Sequence, residues 1–306
     1  MVSEEYAKEH FAIQKNKIPK TRFVDKLNAV KVVMLDYPDP ERAKKVLVNF
    51  SEGSWFENFY EQATEEQKND AVHDLLSGAM LGQGLEALQF TFLVSGLDLQ
   101  DSHAIVRNRI GVSFLQQSQA VQPFTDSDIL VPRAFTKHDD LLQRYKRWCY
   151  LGKQLYQDML ETEDISITDA RLAMPKTVPV WINVSCNLMT LLQIYSKRAD
   201  SQEEYVALNI VVEKMKELVV EKFPYMKGYF VSSCDKKTCL HCKPSYKCNC
   251  IFKRDNKHLV EKENWTLHSK TKYELMLNCK EYETEYYNGA TKVTQEVFEK
   301  KEEIKK

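Results

Sequence analysis

The sequence predicts an α/β or α+β fold in which a mixed sheet is flanked by helices. Two segments rich in β-favouring residues, 29–35 and 88–94, are separated by a stretch with helical periodicity. Longer stretches of helical periodicity follow at 141–159 and 205–219. This alternation of strand and helix patterns along one chain favours the mixed class.

The N-terminal half contains the first strands. The strand Ala29–Leu35 is followed by a turn with two prolines, which interrupt regular structure, and by a short helix from Glu41. Residues 65–82 are predicted to be helical and to end at a pair of glycines. Leu88–Val94 begins with alternating apolar and polar side chains and is predicted to be the second strand.

Three helices are predicted in the second half. Apolar residues recur every three or four positions in two amphipathic helices, at Leu141, Tyr145, Trp148, Leu155 and Met159 and again at Tyr205, Leu208, Val212, Met215 and Val219. The segment 181–195 is apolar on nearly all sides. It therefore predicts a buried helix that packs against the sheet or against other subunits.

The composition changes near Lys227, where we place a domain boundary between residues 1–226 and 227–306. Six of the eight cysteines lie beyond it, and the extension carries 17 Lys and Arg against 12 Asp and Glu. A hairpin is predicted in it, with strands 273–286 and 291–298 around the turn dipeptide Asn288-Gly289. The second domain is thus a small, mildly basic, cysteine-rich and β-containing extension.

Composition restricts the class of protein. With 306 residues, 43% of them hydrophobic and 28% charged, the chain is long enough to bury a sizeable core. We find no apolar run of membrane-spanning length and no apolar signal-peptide segment at the charged N-terminus. We therefore expect a cytoplasmic protein with no membrane partner. The net charge of −1 does not favour nucleic acid as a partner, except through the basic extension.

Two arginines separated by one residue form the first chemical motif. Arg107 and Arg109 precede Gly111 and Ser113. Guanidinium groups bind phosphate or carboxylate oxygens in pairs, so this motif could hold a pyrophosphate or stabilise negative charge on a ligand. A solvated pair of arginines is the alternative that spacing alone leaves open.

A second motif, Ala-Arg-Leu-Ala-Met-Pro at residues 170–175, is followed by Arg-Ala-Asp-Ser at 198–201. Together with Arg-Asn-Arg-Ile-Gly-Val-Ser at 107–113, these segments resemble the flavin-dependent thymidylate synthases, the ThyX-type family. The resemblance covers roughly residues 25–225. It implies a ThyX-like fold, FAD bound between the subunits of a homotetramer, NADPH as reductant and methylenetetrahydrofolate as carbon source.

The resemblance also implies roles for single residues. The cofactor-binding set matches family positions that contact the flavin and consists of Glu86, Arg107, Asn108, Arg109 and Asn187. Arg198 matches the arginine that lies over the pyrimidine base and polarises it, and we predict it to be catalytic. Without the resemblance, Arg198 would be interpreted as an ion-pairing residue beside Asp200 or Glu204.

The expected substrate-binding set departs from the family pattern. It consists of Ser113, Gln116, Ser118 and Arg171, where the first three match family positions only if one residue is inserted. The family histidine between the two arginines is Asn108 here, which hydrogen bonds but does not titrate near neutral pH.

Two phosphate-binding arginines of the family are also missing. Ala120 and Val121 replace an arginine and a tyrosine, and a further family arginine would fall near Trp181. Either Arg133, Lys137 or Arg171 replaces these contacts, or the substrate is not ordinary deoxyuridylate.

The cysteines of the extension form the candidate metal site. The set consists of Cys234, Cys239, Cys242, Cys248 and Cys250, with His241 among them. A Cys-x2-Cys pair in a reducing compartment favours structural zinc over a disulfide, and free or redox-active thiols are the alternatives.

The expected function is C5 methylation of a pyrimidine nucleotide, in which dUMP is converted to dTMP with reduced FAD and methylenetetrahydrofolate. The altered substrate positions leave open a hydroxymethylase on the same scaffold. A non-catalytic scaffold derived from the ThyX fold is the second alternative, and a zinc-dependent nucleic-acid binder based on the extension is the third.

Overall fold

The computed structural model describes residues 15–53, 55–199, 206–232 and 285–287 of the chain. These residues belong to two compact units. The first unit contains residues 15–29, 117–180 and 285–287, and the second contains residues 30–116 and 181–232 within the same described ranges.

The second unit is built on a four-stranded sheet. Its strands in chain order are β2 (Lys31–Asp36), β3 (Gln89–Leu97), β4 (Val112–Gln116) and β6 (Val180–Asn187), and their spatial order is β2-β3-β6-β4. β2 pairs antiparallel with β3, and β4 pairs antiparallel with β6. The two strands predicted from sequence, 29–35 and 88–94, are therefore confirmed as β2 and β3.

The described helices of the second unit are α1 (Pro40–Glu52), α2 (Phe59–Gln62), α3 (Glu65–Ser77), α4 (Gln83–Glu86), α5 (Leu99–Ile105), α8 (Leu188–Arg198) and α9 (Val206–Lys222), with a 3-10 helix at Pro224–Tyr229. One face of the sheet is buried in this unit, because Phe90, Phe92 and Val94 alternate with half-buried residues along β3. The predicted helix at 205–219 is confirmed as α9, whose Leu208, Val212, Met215 and Val219 are buried.

The segment 181–195 is not a single buried helix, as its uniform apolar character predicted. It divides into β6 and the first part of α8, and the boundary lies at Asn187. Val180, Ile182 and Val184 alternate in burial as a strand requires, and β-branched residues favour that conformation.

The helix predicted at 65–82 is also shorter than expected. α3 ends at Ser77 because Gly78 adopts φ +83° and its backbone N–H is hydrogen bonded to the last turn. A separate short helix, α4, then carries Glu86.

The first unit contains a three-stranded sheet with the order β5-β1-β7. β1 (Thr21–Asp25) pairs parallel with β5 (Ile129–Val131) and antiparallel with β7 (Glu285–Tyr287). The described helices are α6 (Asp139–Glu161) and α7 (Ile167–Ala170), with 3-10 helices at Arg133–Lys137 and Arg171–Ala173. β7 falls at the end of the first strand of the predicted hairpin, whose other residues lie outside the described ones.

The amphipathic helix predicted at 141–159 is confirmed as α6, and it has two apolar sides. Leu142, Cys149, Tyr156 and Leu160 lie in the core of the first unit. The predicted apolar positions are largely on the other side, where Leu141, Trp148 and Leu155 are exposed. Buried Lys153 also faces inward, where its Nζ donates hydrogen bonds to the carbonyl oxygens of Lys20 (3.1 Å) and Ser127 (2.5 Å). Burial lowers the pKa of Lys153 to about 8.

Mixed strands and helices with two sheets confirm the predicted fold class. The predicted boundary at residue 227 falls inside the 3-10 helix Pro224–Tyr229, and most of the extension lies outside the described residues, so that division stays a prediction. In the described part of the chain, no helix is long and apolar enough to cross a membrane.

Candidate active site

The two predicted flavin-binding arginines lie on an exposed loop between α5 and β4. α5 is capped by Asp98, whose Oδ1 accepts a hydrogen bond from the backbone N–H of Asp101 (2.8 Å), and it ends at Ile105. Asn108 then attaches the start of the loop to the end of α5, because its Nδ2 donates a hydrogen bond to the carbonyl oxygen of Ile105 (2.9 Å). Arg107 and Arg109 are exposed, so both guanidinium groups are accessible to an anionic ligand.

Gly111 closes this loop against the start of α8. Its φ of +67° lies in the left-handed region, which only glycine adopts at low cost. A Cβ atom at this position would lie 2.5 Å from Nδ2 of Asn187 and would overlap Oγ1 of Thr190. The absence of a side chain therefore allows the Arg107–Gly111 loop to contact α8 directly.

Asn187 connects three parts of the site. Its backbone N–H donates to the carbonyl oxygen of Gly111 (2.9 Å), and its Oδ1 accepts from the backbone N–H of Thr190 (2.9 Å). The second bond is the N-cap of α8, which explains why the helix begins here. The predicted cofactor residue Asn187 is thus buried beside the loop that carries Arg107 and Arg109.

Arg198, the predicted catalytic residue, is the last residue of α8. Its side chain is half-buried, and its Nη2 donates a hydrogen bond to the carbonyl oxygen of Ala104 (3.1 Å). Ala104 is in the last turn of α5, three residues before Arg107. The structure therefore brings Arg198 to the segment that leads into the predicted flavin loop.

Glu86 approaches the same region from a third segment. It ends α4, and its side chain is exposed. Two residues later, the carbonyl oxygen of Leu88 accepts a hydrogen bond from the backbone N–H of Leu188, the first residue of α8. The segments that carry Glu86, Arg107–Arg109, Asn187 and Arg198 therefore meet around α8 within the second unit.

The predicted substrate residues are divided between the two units. Ser113 and Gln116 lie on β4 in the second unit, whereas Ser118 and Arg171 belong to the first. Because side chains alternate along a strand, Ser113 and Gln116 point to opposite faces of the sheet. On the neighbouring strand β6, Ser113 pairs with half-buried Ser185, and Gln116 pairs with buried Ile182. This set stays a prediction.

The other two members have local hydrogen bonds. Ser118 Oγ accepts from the backbone N–H of Ala120 (3.2 Å), and Arg171 Nε donates to the carbonyl oxygen of Thr168 (3.1 Å). Neither bond prevents a ligand contact, because both use backbone partners of the same turn.

The proposed replacements for the missing arginines have different surroundings. Arg133 Nε donates to Oδ2 of buried Asp25 (2.8 Å), and its Nη2 donates to Oδ1 of Asn28 (2.9 Å). This guanidinium forms an ion pair with a buried carboxylate, so moving it to a phosphate would cost Asp25 that ion pair. Lys137 is exposed at the end of its 3-10 helix and has no such constraint.

The described cysteines do not have the character of nucleophiles. Cys149 and Cys186 are fully buried, and burial raises the pKa of each thiol to about 12. A thiol with such a pKa is almost entirely protonated near neutral pH and therefore reacts slowly.

The predicted zinc ligands lie outside the described residues. Among the described ones, no group of three or more His, Cys, Asp or Glu side chains could hold a metal ion. The zinc site at Cys234, Cys239, Cys242, Cys248 and Cys250 therefore stays a prediction.

Sequence reasoning missed Thr190, whose hydroxyl donates to the carbonyl oxygen of Ile110 (2.8 Å). A signal was present. Asn187 precedes Leu-Met-Thr, and an asparagine before an apolar run is a helix-start signal. Had the boundary between β6 and α8 been placed there, Thr190 would have fallen in the first turn of a helix next to a predicted flavin residue.

The chain is similar to known proteins over much of its length. A family model described as thymidylate synthase complementing protein matches residues 33–225. A flavin-dependent thymidylate synthase from Clostridium tetani is 25% identical over 232 residues, which cover 70% of this chain and 92% of the relative. One from Pyrococcus horikoshii is 28% identical over 142 residues, 45% of this chain and 58% of the relative.

The fold is also similar to a solved structure. A UMP/dUMP methylase, PolB from Streptomyces cacaoi bound with 5-Br dUMP, superposes with a TM-score of 0.58 at 18% identity over 68% of this chain and 96% of that one. The likeness confirms the ThyX-like fold. The match of the family model over most of the chain confirms the resemblance seen in the arginine motifs. The chain belongs to the thymidylate synthase complementing protein family and is an enzyme related to the flavin-dependent thymidylate synthases.

Proposed function

We propose that the enzyme catalyses flavin-dependent methylation at C5 of a pyrimidine nucleotide, with dUMP as substrate and dTMP as product. The observation that carries this proposal is the convergence around α8: the Arg107–Gly111 loop packs on Asn187, and Arg198 is hydrogen bonded to the segment that leads into that loop. The named relatives are flavin-dependent thymidylate synthases, and the fold is shared with a UMP/dUMP methylase.

The residues present fit a flavin nucleotide. Arg107 and Arg109 present two accessible cations on a loop whose Gly111 allows close approach to the start of α8, where Asn187 lies. These residues, with Asn108 and Glu86, would hold FAD. A bound flavin, reduced by NADPH, would supply the hydride that completes the methyl group delivered from methylenetetrahydrofolate.

Arg198 would act on the nucleotide base. A guanidinium held beside the uracil carbonyl stabilises the negative charge that develops on the oxygen when C5 becomes nucleophilic. The hydrogen bond to the Ala104 carbonyl limits the motion of this side chain, and half-burial reduces its screening by water. Both effects favour a fixed electrophilic role for Arg198.

Neither of the two cysteines in the described part of the chain has the state of a nucleophile. Cys149 and Cys186 are buried and have raised pKa values, so neither is poised to attack the base. In this scheme the base is activated by Arg198 and not by covalent addition of a protein thiol.

The proposal is tested on the purified full-length chain. We expect visible flavin absorbance that bleaches with NADPH, and release of tritium from C5-labelled dUMP in the presence of methylenetetrahydrofolate. Cys149→Ala and Cys186→Ala should release tritium at rates within about twofold of the parent, because neither thiol reacts. A protein that takes up no FAD would refute the flavin chemistry, and loss of tritium release in a folded cysteine variant would point to covalent catalysis.

A hydroxymethylase on the same scaffold is the second candidate. Ala120 and Val121 replace two nucleotide-binding residues of the family, and Arg133 is engaged with Asp25. A panel of pyrimidine monophosphates identifies the substrate, and the mass of the product distinguishes a methyl from a hydroxymethyl group by one oxygen atom. If no nucleotide releases tritium although FAD is bound, the non-catalytic scaffold becomes the better interpretation.

We further propose that the enzyme is a homo-oligomer, a tetramer by resemblance, and that the outer side of α6 is one of its contacts. Leu141, Trp148 and Leu155 are 48%, 58% and 49% exposed and recur every seven residues, which is the spacing of a helix-pairing seam. A groove of about 570 Å³ runs along this helix and is lined by Leu141, Arg144, Tyr145, Arg147, Trp148 and Leu151.

The charges along this seam favour a second copy of the chain over an unrelated partner. In an antiparallel pairing centred on Leu151, Arg144 of one copy would lie opposite Asp158 of the other, because each is seven residues from that centre. The seam therefore combines exposed apolar side chains with opposite charges that would face each other across a two-fold axis, as a self-associating surface requires.

Trp148→Glu is expected to shift the enzyme to a smaller assembly, because it replaces a large apolar side chain of the seam with a strongly hydrated charge. Sedimentation or light scattering measures the mass. Leu172→Glu is the matched control, since Leu172 is 82% exposed in the same unit but lies outside α6. If the parent and Trp148→Glu have equal masses at concentrations near the dissociation constant of the parent assembly, the outer side of α6 is not a subunit contact.

A further inference from the structure

The flavin loop is held near both ends by hydrogen bonds; Arg107 lies within the first attachment, and Arg109 lies between the two. At the start, the side chain and the backbone N–H of Asn108 both donate to the carbonyl oxygen of Ile105. At the end, the carbonyl oxygens of Ile110 and Gly111 accept from Thr190 and Asn187. The intervening side chains have little packing of their own, since Arg107 and Arg109 are exposed and Ile110 is 87% exposed. The conformation of the loop therefore depends on its polar attachments.

Thr190 makes the attachment nearest to Arg109. It is buried in the first turn of α8, and its backbone N–H is used by the Asn187 cap. A threonine hydroxyl within a helix commonly bonds to a carbonyl of the preceding turn. Here Oγ1 donates instead to the Ile110 carbonyl at 2.8 Å, across 80 residues of sequence. The hydroxyl is therefore hydrogen bonded to the loop and not to its own helix.

The contact is specific in chemistry and in shape. Thr190 Oγ1 and Asn187 Nδ2 occupy the space that a Cβ at residue 111 would fill. The loop reaches this position through the left-handed backbone of Gly111. The missing side chain of Gly111 leaves the space that the Thr190 hydroxyl occupies. Loss of the hydroxyl would leave the Ile110 carbonyl without this donor and would allow the adjacent Arg109 to move.

We infer that Thr190 is a positioning residue for flavin binding: it fixes the end of the Arg107–Gly111 loop so that both guanidinium groups face the cofactor. This inference rests on the proposed function, because Thr190 can affect flavin binding through the loop only if FAD binds to that loop. Thr190 itself need not touch the flavin.

The experiment compares Thr190→Val, which keeps the shape and removes the hydroxyl, with Thr190→Ser, which keeps the hydroxyl. We expect Thr190→Val to raise the Kd for FAD roughly three- to tenfold, the effect of one hydrogen bond, and Thr190→Ser to stay within about twofold. Hydrogen–deuterium exchange of the flavin-free proteins should show faster exchange at residues 107–112 in Thr190→Val only.

Thr125→Val is the matched control for a general loss of stability. Thr125 is also buried, and its Oγ1 donates to Oε1 of Gln157 at 2.7 Å, but it belongs to the first unit. It should lower the melting temperature as Thr190→Val does while leaving the Kd for FAD unchanged.

The outcomes separate the two claims. If the parent binds FAD and Thr190→Val binds it equally well, or if Thr125→Val weakens FAD binding as much, the positioning role is overturned and the proposed function stands. If the parent binds no FAD, the proposed function fails and the role of Thr190 in flavin binding fails with it, whatever the exchange data show about the loop.

Discussion

Arg198→Ala is expected to lower the release of tritium from C5-labelled dUMP by roughly 10²–10³-fold, the cost of removing one fixed donor from a developing oxyanion. The side chain ends α8 and is fixed to the Ala104 carbonyl, so its charge is held in place before the reaction begins. Binding of FAD should be retained, because Arg107, Arg109 and Asn187 lie on other turns and are unchanged. The rate of tritium release and the flavin absorbance of the same sample measure both effects.

Two further variants separate a catalytic role from a structural one. Lys197→Ala removes the neighbouring exposed cation from the same last turn of α8, and we expect a turnover close to that of the parent. Arg198→Lys keeps a positive charge but loses the planar fork, so its turnover should fall between those of the parent and Arg198→Ala. The catalytic assignment would be wrong if Arg198→Ala, folded and flavin-bound, turned over within about threefold of the parent.

Gly111→Ala is expected to have the largest effect on cofactor binding, with a loss of at least about tenfold in FAD affinity. Two costs combine at this position. A left-handed backbone costs an alanine about 1–2 kcal/mol, and the new Cβ must displace Asn187 or Thr190, which adds an overpacking cost of about 1–3 kcal/mol. The loop would move away from α8 and take Arg109 with it. Fluorescence titration with FAD and the free energy of unfolding measure the two consequences.

Gly78→Ala provides the control for backbone strain alone. Gly78 also has a positive φ, +83°, but a Cβ there would meet nothing within 4 Å. We therefore expect Gly78→Ala to lose only the left-handed cost of about 1–2 kcal/mol and to bind FAD like the parent. Equal FAD affinities for the two variants would show that the contact between Gly111 and α8 is unimportant for the cofactor.

Much of the architecture was predictable from local patterns. β2, β3, α6 and α9 were each indicated by the spacing of apolar residues, because the period of burial differs between a strand and a helix. The arginine motifs were sufficient to indicate the family, since their residue types and spacing match the family signature.

Uniformly apolar segments were not predictable in this way. β6 and the start of α8 read alike in sequence, because the segment is apolar even at positions that the structure leaves partly exposed, such as Trp181, and so shows neither period. Likewise, α6 has apolar residues on both sides, and the pattern alone did not tell which side faces the core of its unit. In both cases the sequence does not show which structural element packs against the segment.

The sequence by itself determined the fold class, the family and the identity of the arginines that carry the proposed chemistry. Only the tertiary structure decided that Gly111, Asn187 and Thr190 form one contact, and that Arg198 bonds to the turn before Arg107. The physical reason is distance along the chain: local propensity governs hydrogen bonds within a turn, whereas Thr190 and Ile110 are 80 residues apart and meet only when the sheet has placed β4 beside β6.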